Sequence, residues 1–161
     1  MVFKLTAFLF SIVLASQALA NSQSECSAGK GDYLVGTAVS NPKYQASKKY
    51  YAGIKLSHTV LEVQSDQDQQ TYQVAIDNIY ASDFDQNSHS VPASLTEIRT
   101  GTRLAICGKY FHNDNRQGIH WVHQNCGHRP TPDKPDGFVK LISKQGNEGA
   151  NLEASQQYCR R

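Results

Sequence analysis

The stretch GIHWVHQNCG, residues 118–127, brings His120, Trp121, His123 and Cys126 into one short segment. Two histidines beside an indole suit metal ligation, general acid–base chemistry or a polar rim on a packed core. On a β-strand the side chains alternate, so Trp121 and His123 share one face while His120 and Val122 share the other. A pair three residues apart on a strand does not chelate an ion by itself. A metal would need His58 and His123 together with Asp136 or Asp77 from other segments. Neutral imidazoles and one carboxylate would then hold zinc or another divalent ion with a position open for water. Such a water supports hydrolysis, for example of a phosphodiester, with a further histidine as general base, which makes His58, His120, His123 and Asp136 the catalytic candidates. The preferred alternative has Trp121 as a core anchor and the histidines hydrogen-bonded to the barrel rim and to the turn Pro135-Asp136-Gly137, because no consecutive ligand spacing is present.

Other chemistries fare worse. Cys26, Cys107, Cys126 and Cys159 contain no Cys-x-x-Cys, so neither a zinc ribbon nor a thioredoxin-like pair is supported. No serine lies in a Gly-x-Ser-x-Gly elbow. Gly29 and Gly31 lack the preceding strand and following helix of a phosphate-cradling loop.

A second chemical surface is KYQASKKYYAG, residues 43–53, where Lys43, Lys48 and Lys49 interleave with Tyr44, Tyr50 and Tyr51. Aromatics beside cations stack on bases or sugars while the charges follow a phosphate backbone. The competing and preferred reading is a solvated loop whose tyrosines cover the core edge. Overall charge favours that reading. The 16 Lys and Arg fall to 15 without Lys4, against 14 Asp and Glu, so residues 21–161 carry about +1, too little for a dedicated polyanion binder without a local patch.

The elements that must position these residues begin after an export signal. Residues 1–20 run from Lys4 through an apolar stretch to Ala18-Leu19-Ala20, the pattern of a cleaved secretory signal, too short to span a bilayer. A secreted or periplasmic protein without a membrane span is expected. Residues 21–31 read as a polar tether pinned by Cys26, and residues 32–161 as a single domain.

Strands are expected at 33–39, with Gly36 as a bulge or close-approach point, at 54–63 and 71–76 as a hairpin, at 102–111 and 119–125 as a second hairpin, and at 137–143. Residues 80–100 read as irregular, with a helical turn at 95–98. Asn151 is a natural N-cap for a short C-terminal helix. The pattern predicts an all-β, five- or six-stranded small barrel with one short C-terminal helix, stapled by disulfides. Four cysteines permit three pairings. The second hairpin would bring Cys107 to Cys126, leaving Cys26 to join Cys159 and tie the termini.

Four pieces in order, SHTVLEV at 57–63, AIDNI at 75–79, GIHWVH at 118–123 and PDGFV at 135–139, resemble a family of exported bacterial proteins classed as a domain of unknown function. The resemblance spans about two-thirds of residues 21–161 and implies a compact barrel of the oligonucleotide/oligosaccharide-binding type. It singles out His58, Asn78, His120, His123 and Asp136. The chain departs from the family pattern at Asp77 and Lys134, where histidines are expected, and both changes weaken an inherited metal site.

The readings converge on an exported binding module. Its ligand-binding candidates are Lys48, Lys49, Tyr50, Tyr51, Asn78 and Trp121, for a nucleic acid, a glycan or a protein partner. The alternative is a secreted metal-dependent hydrolase of nuclease or phosphodiesterase type, with His58, His123 and Asp136 holding the divalent ion. A third reading is a purely structural role in the cell envelope.

Overall fold

A computed structural model describes residues 21–159 apart from positions 52 and 114, so the signal-like segment lies outside the described residues. Eight strands follow the order β1 (Asp32–Ala38), β2 (Lys43–Tyr51), β3 (Ile54–Ser65), β4 (Thr71–Asp77), β5 (Arg103–Asn113), β6 (Arg116–His120), β7 (Phe138–Ile142) and β8 (Glu148–Asn151). Short 3₁₀ turns occupy Asn78–Tyr80 and Ala93–Glu97 in the otherwise irregular connection between β4 and β5.

Alternation builds the ring. In β3, Ser57, Thr59, Leu61, Val63 and Ser65 are buried while Leu56, His58, Val60, Glu62 and Gln64 look outward. β3 pairs antiparallel with β4, β4 parallel with β6, and β6 antiparallel with β5. β1 closes the ring, pairing through Asp32–Thr37 with β5 and through Gly36–Ala38 with β3. Closure requires a glycine at position 36, since a Cβ there would lie 2.2 Å from the Gln64 carbonyl oxygen. Inside sit Leu34, Leu61, Val63, Val74, Ile76, Leu104, Ile106, Ile119, Val122 and Val139, all at most 1% exposed. β7 and β8 extend the sheet from the first half of β5.

Several elements differ from the sequence expectations: the strand expected at 119–125 is β6 at Arg116–His120, β8 at Glu148–Asn151 is additional, and three further differences concern the Lys/Tyr segment, the N-terminal tether and the C-terminal helix. The Lys/Tyr segment is strand β2, which among the described residues pairs only with β3, and its register shifts between Ala46 and Tyr50 so that Lys48 and Lys49 bulge outward. Its pattern hides this assignment: an edge strand lying over solvent needs no apolar face, and lysines guard it against further pairing. Residues 21–28 are helical (α1) and docked, not a loose tether. Ser22 and Cys26 are buried one turn apart, Ser22 Oγ donates to Glu148, and Lys140 Nζ lies 2.5 Å from Glu25 Oε2. The C-terminal helix is absent from 151–159. Asn151 instead ends β8, and its Oδ1 accepts the backbone N–H groups of Val139 and Glu153.

The disulfides join Cys26 to Cys107 and Cys126 to Cys159, correcting the expected Cys107–Cys126 and Cys26–Cys159 pairing. The hairpin does form, with Lys109 opposite His120. It stops there because Trp121 adopts φ 59° and turns the chain off the sheet before Cys126 can face Cys107. Two intramolecular disulfides fit an oxidising, extracellular-type compartment. No described helix is long and apolar enough to cross a membrane.

Candidate functional site

Trp121 begins the site because its backbone inverts the expected alternation. Val122 drops fully into the core while His120 stays half-exposed on the outer sheet face, so these two do not share a side. Trp121 and His123 do come together, with ring centroids 5.2 Å apart. The segment after β6 is then stitched to three others. Gly137 N–H donates to the His123 carbonyl (2.8 Å), Gln124 N–H to the Glu153 carbonyl (3.1 Å), and Asn125 N–H to Asp136 Oδ1 (3.0 Å). Gln124 Nε2 donates to the Ser155 carbonyl, and Ser155 N–H to the Tyr80 carbonyl. The Cys126–Cys159 disulfide fastens the same wall.

Against this wall stand the end of β2, the start of β3 and the end of β4, enclosing a cavity of about 480 Å³. Tyr51, Leu56, Asp77, Tyr80, Trp121 and His123 line its body, and His128, Arg129 and Lys134 stand along the loop side. Its size lies within the range of small-molecule pockets. The tight turn Thr131–Lys134, hydrogen-bonded in both directions, presents Lys134, and Lys109 Nζ holds the neighbouring Asp133 at 2.5 Å. Arg129 and Lys134 take part in no ion pair among the described residues.

Burial sets the charge states. Asp77 is pushed up to about 7 by desolvation, so its carboxyl is substantially protonated at neutral pH. Desolvation lowers His123 to about 4, and its Nδ1 lies 2.7 Å from the Gln124 carbonyl, so that nitrogen carries the proton and Nε2 is left as an acceptor. Behind them Glu153 is fully buried and raised well above the usual carboxylate range by desolvation and by Asp77. Asp77 Oδ1, Trp121 Nε1, Asn125 Nδ2 and both Glu153 carboxyl oxygens are buried without a hydrogen-bond partner among the described residues. Such orphaned groups cost stability and concentrate at functional sites.

The histidines named from sequence divide between two places. His58 pairs with Asp77 in register on the outer face, and His120 lies on the same face; both are lowered first by desolvation, then by lysines, Lys49 for His58 and Lys109 with Lys49 for His120. His123 is a buried part of the cavity lining and Asp136 is exposed beside it. His58, His123 and Asp136 are not brought together, and among the described residues no group of three His, Cys, Asp or Glu side chains is placed to hold a metal ion. Asn78 turns inward: Thr59 Oγ1 donates to its Oδ1 at 2.6 Å and its Nδ2 donates to Ser57 Oγ at 3.0 Å, plugging one end of the ring. Lys48, Lys49 and Tyr50 are exposed on β2, Tyr50 at 67%, and Tyr51 reaches the cavity.

Sequence reasoning passed over Tyr80 and Arg129 as site residues and named Lys134 only as a departure from the family pattern. The loop HRPTPDKPD holds Arg129 and Lys134 beside two aspartates, so only the structure, which pairs Asp133 with Lys109, leaves these cations without a partner among the described residues, and Tyr80 carried no signal. Comparison with protein families, with curated proteins and with solved structures finds no match to this chain.

Proposed function

We propose that the chain is an exported binding module of the oligonucleotide/oligosaccharide-binding type that holds an extended anionic polymer along its outer face. One observation carries this reading: the face formed by β2, β3, β4, β6 and β5 bears Lys49, His58, His120 and Lys109 and ends in the aromatic-lined cavity. In such barrels the second and third ring strands and the loop before them bind ligand. Here those strands are β3 and β4, and that loop contains β2 with its bulged lysines. The near-neutral total charge is compatible with this reading because Lys48 and Lys49 are adjacent and exposed on β2, while His58 and His120, lowered by burial, offer neutral hydrogen-bonding groups and Lys109 is shared with Asp133. The signal-like residues 1–20 and the two disulfides support export. The hydrolase alternative loses its metal-based argument with the separation of His58 from His123 and Asp136.

Fluorescence anisotropy with labelled single-stranded DNA, and in parallel with an acidic glycan, tests the reading. Capture is expected to weaken with added salt, to be insensitive to chelator, and to fall about tenfold or more on replacing Lys48, Lys49 and Tyr50 together by alanine. No capture of either polymer, or an unchanged affinity in the folded triple variant, removes the proposal.

A further inference from the structure

The cavity has a chemical polarity of its own. Its body is lined by the aromatic side chains of Tyr51 and Trp121 with the apolar Leu56 and Ile79, and one wall carries Arg129 and Lys134. These cations have no carboxylate partner among the described residues. Buried polar atoms of Trp121 and Asn125, both donors, lack partners among the described residues in the same wall. Aromatic faces favour a flat occupant, and unpaired cations with spare donors favour an anion.

We propose that this cavity seats a planar aromatic ring bearing an anionic group, the ring lying against Tyr51 and Trp121 and the anion held by Arg129 and Lys134. The inference deepens the binding reading and rests on it, the ring being one unit of the bound polymer. Asp77 decides its pH dependence. The groups around Asp77 are His58 opposite on β3, Tyr51 on β2, Tyr80 after β4, His123 and His128 after β6, Glu153 in the tail, and, across the same cavity, the cations Arg129 and Lys134. With its carboxyl raised to about 7, Asp77 is neutral at lower pH and admits an anion; at higher pH it ionises and repels one.

The chain's single tryptophan is Trp121, so its fluorescence reports occupancy directly. Titration with thymidine 5′-monophosphate and with phenylacetate distinguishes a nucleotide source from an aromatic carboxylate, and binding of either supports the proposal. Thymidine, inorganic phosphate and phenethylamine are expected to bind about tenfold or more weakly, each lacking the anion, the ring or the right charge. The double variant Arg129→Ala/Lys134→Ala is expected to lose about tenfold for the anions while near-ultraviolet circular dichroism stays native, both side chains being exposed. Affinity for phenylacetate, whose own charge is constant above about pH 6, is expected to fall between about pH 6 and about pH 8 and to stay level in Asp77→Asn, whereas thymidine 5′-monophosphate gains its second negative charge in the same interval.

Equal binding of ring and anion-bearing ring, tighter binding of phenethylamine, or an unchanged double variant overturns the proposal. If neither small anion binds yet single-stranded DNA is captured through Lys48, Lys49 and Tyr50, the cavity assignment fails while the polymer reading stands. If no polymer is captured but the small anions bind, the polymer reading fails alone.

Discussion

The imidazole of His123 lies flat on the phenol ring of Tyr80, with ring centroids 3.9 Å apart and planes 5° from parallel. This stack joins the 3₁₀ turn after β4 to the segment after β6, beyond Val74 and Ile119 where the parallel pairing of those two strands ends. It also leaves the imidazole 4% exposed, so a proton there has no water to solvate it.

The stack predicts acid sensitivity. His123 is lowered from 6.5 to about 4 in the folded chain, whereas the unfolded chain takes up its proton near the ordinary value. The stabilisation is therefore complete above the ordinary value and is lost as pH falls toward about 4, to a depth of about 3 kcal/mol. Urea unfolding across that window, compared with His123→Phe, checks the sign: the variant keeps a ring on Tyr80 and lacks this component of the slope.

Asp77 predicts the opposite slope. Its folded value, raised from 3.8 to about 7, means that the unfolded chain releases the proton first as pH rises. Stability is lost through that interval, by about 4 kcal/mol at most. Asp77→Asn is expected to match the wild type near the acid end and to exceed its stability above neutrality. A constant difference between the two proteins across pH would contradict the neutral carboxyl.

The two staples predict separable losses. Serine in place of Cys126 and Cys159 frees a loop of 33 residues' separation, and in place of Cys26 and Cys107 one of 81. Loop-closure entropy assigns each bridge about 4 kcal/mol, slightly more for the longer loop. Only the first pair holds the cavity wall, so its removal is expected to alter Trp121 fluorescence at temperatures where the protein remains folded. Peptide mapping of unreduced protein should recover Cys26 with Cys107 and Cys126 with Cys159.

Gly137 predicts a steric failure. A Cβ there would lie 2.5 Å from the Trp121 carbonyl oxygen and 2.6 Å from that of Cys107. Gly137→Ala is expected to cost about 2 kcal/mol or more, measured by thermal unfolding, because backbone on both sides must move. The Pro-Asp-Gly turn thus matters to the site through close approach as well as through Asp136.

Residue alternation and turn chemistry determined much of this protein. The inward and outward faces of β3 and β4, the hairpin of β5 and β6, the short turn near Leu95 and the close approach at Gly36 are properties of neighbouring residues, so a local reading reaches them. β2 escaped because an edge strand over solvent has no apolar face to display, and α1 because its docking depends on Cys107, Lys140 and Glu148 far along the chain. The disulfide pairing and the candidate cavity were decided by tertiary structure. A left-handed residue, Trp121, ends the hairpin, and the chain beyond it is fixed by contacts of His123, Gln124 and Cys126 with residues 137, 153 and 159 that no local pattern specifies. Asp77, Tyr80, Arg129 and Lys134 share one cavity for the same reason: their meeting is a consequence of ring closure and of where the loops are tied.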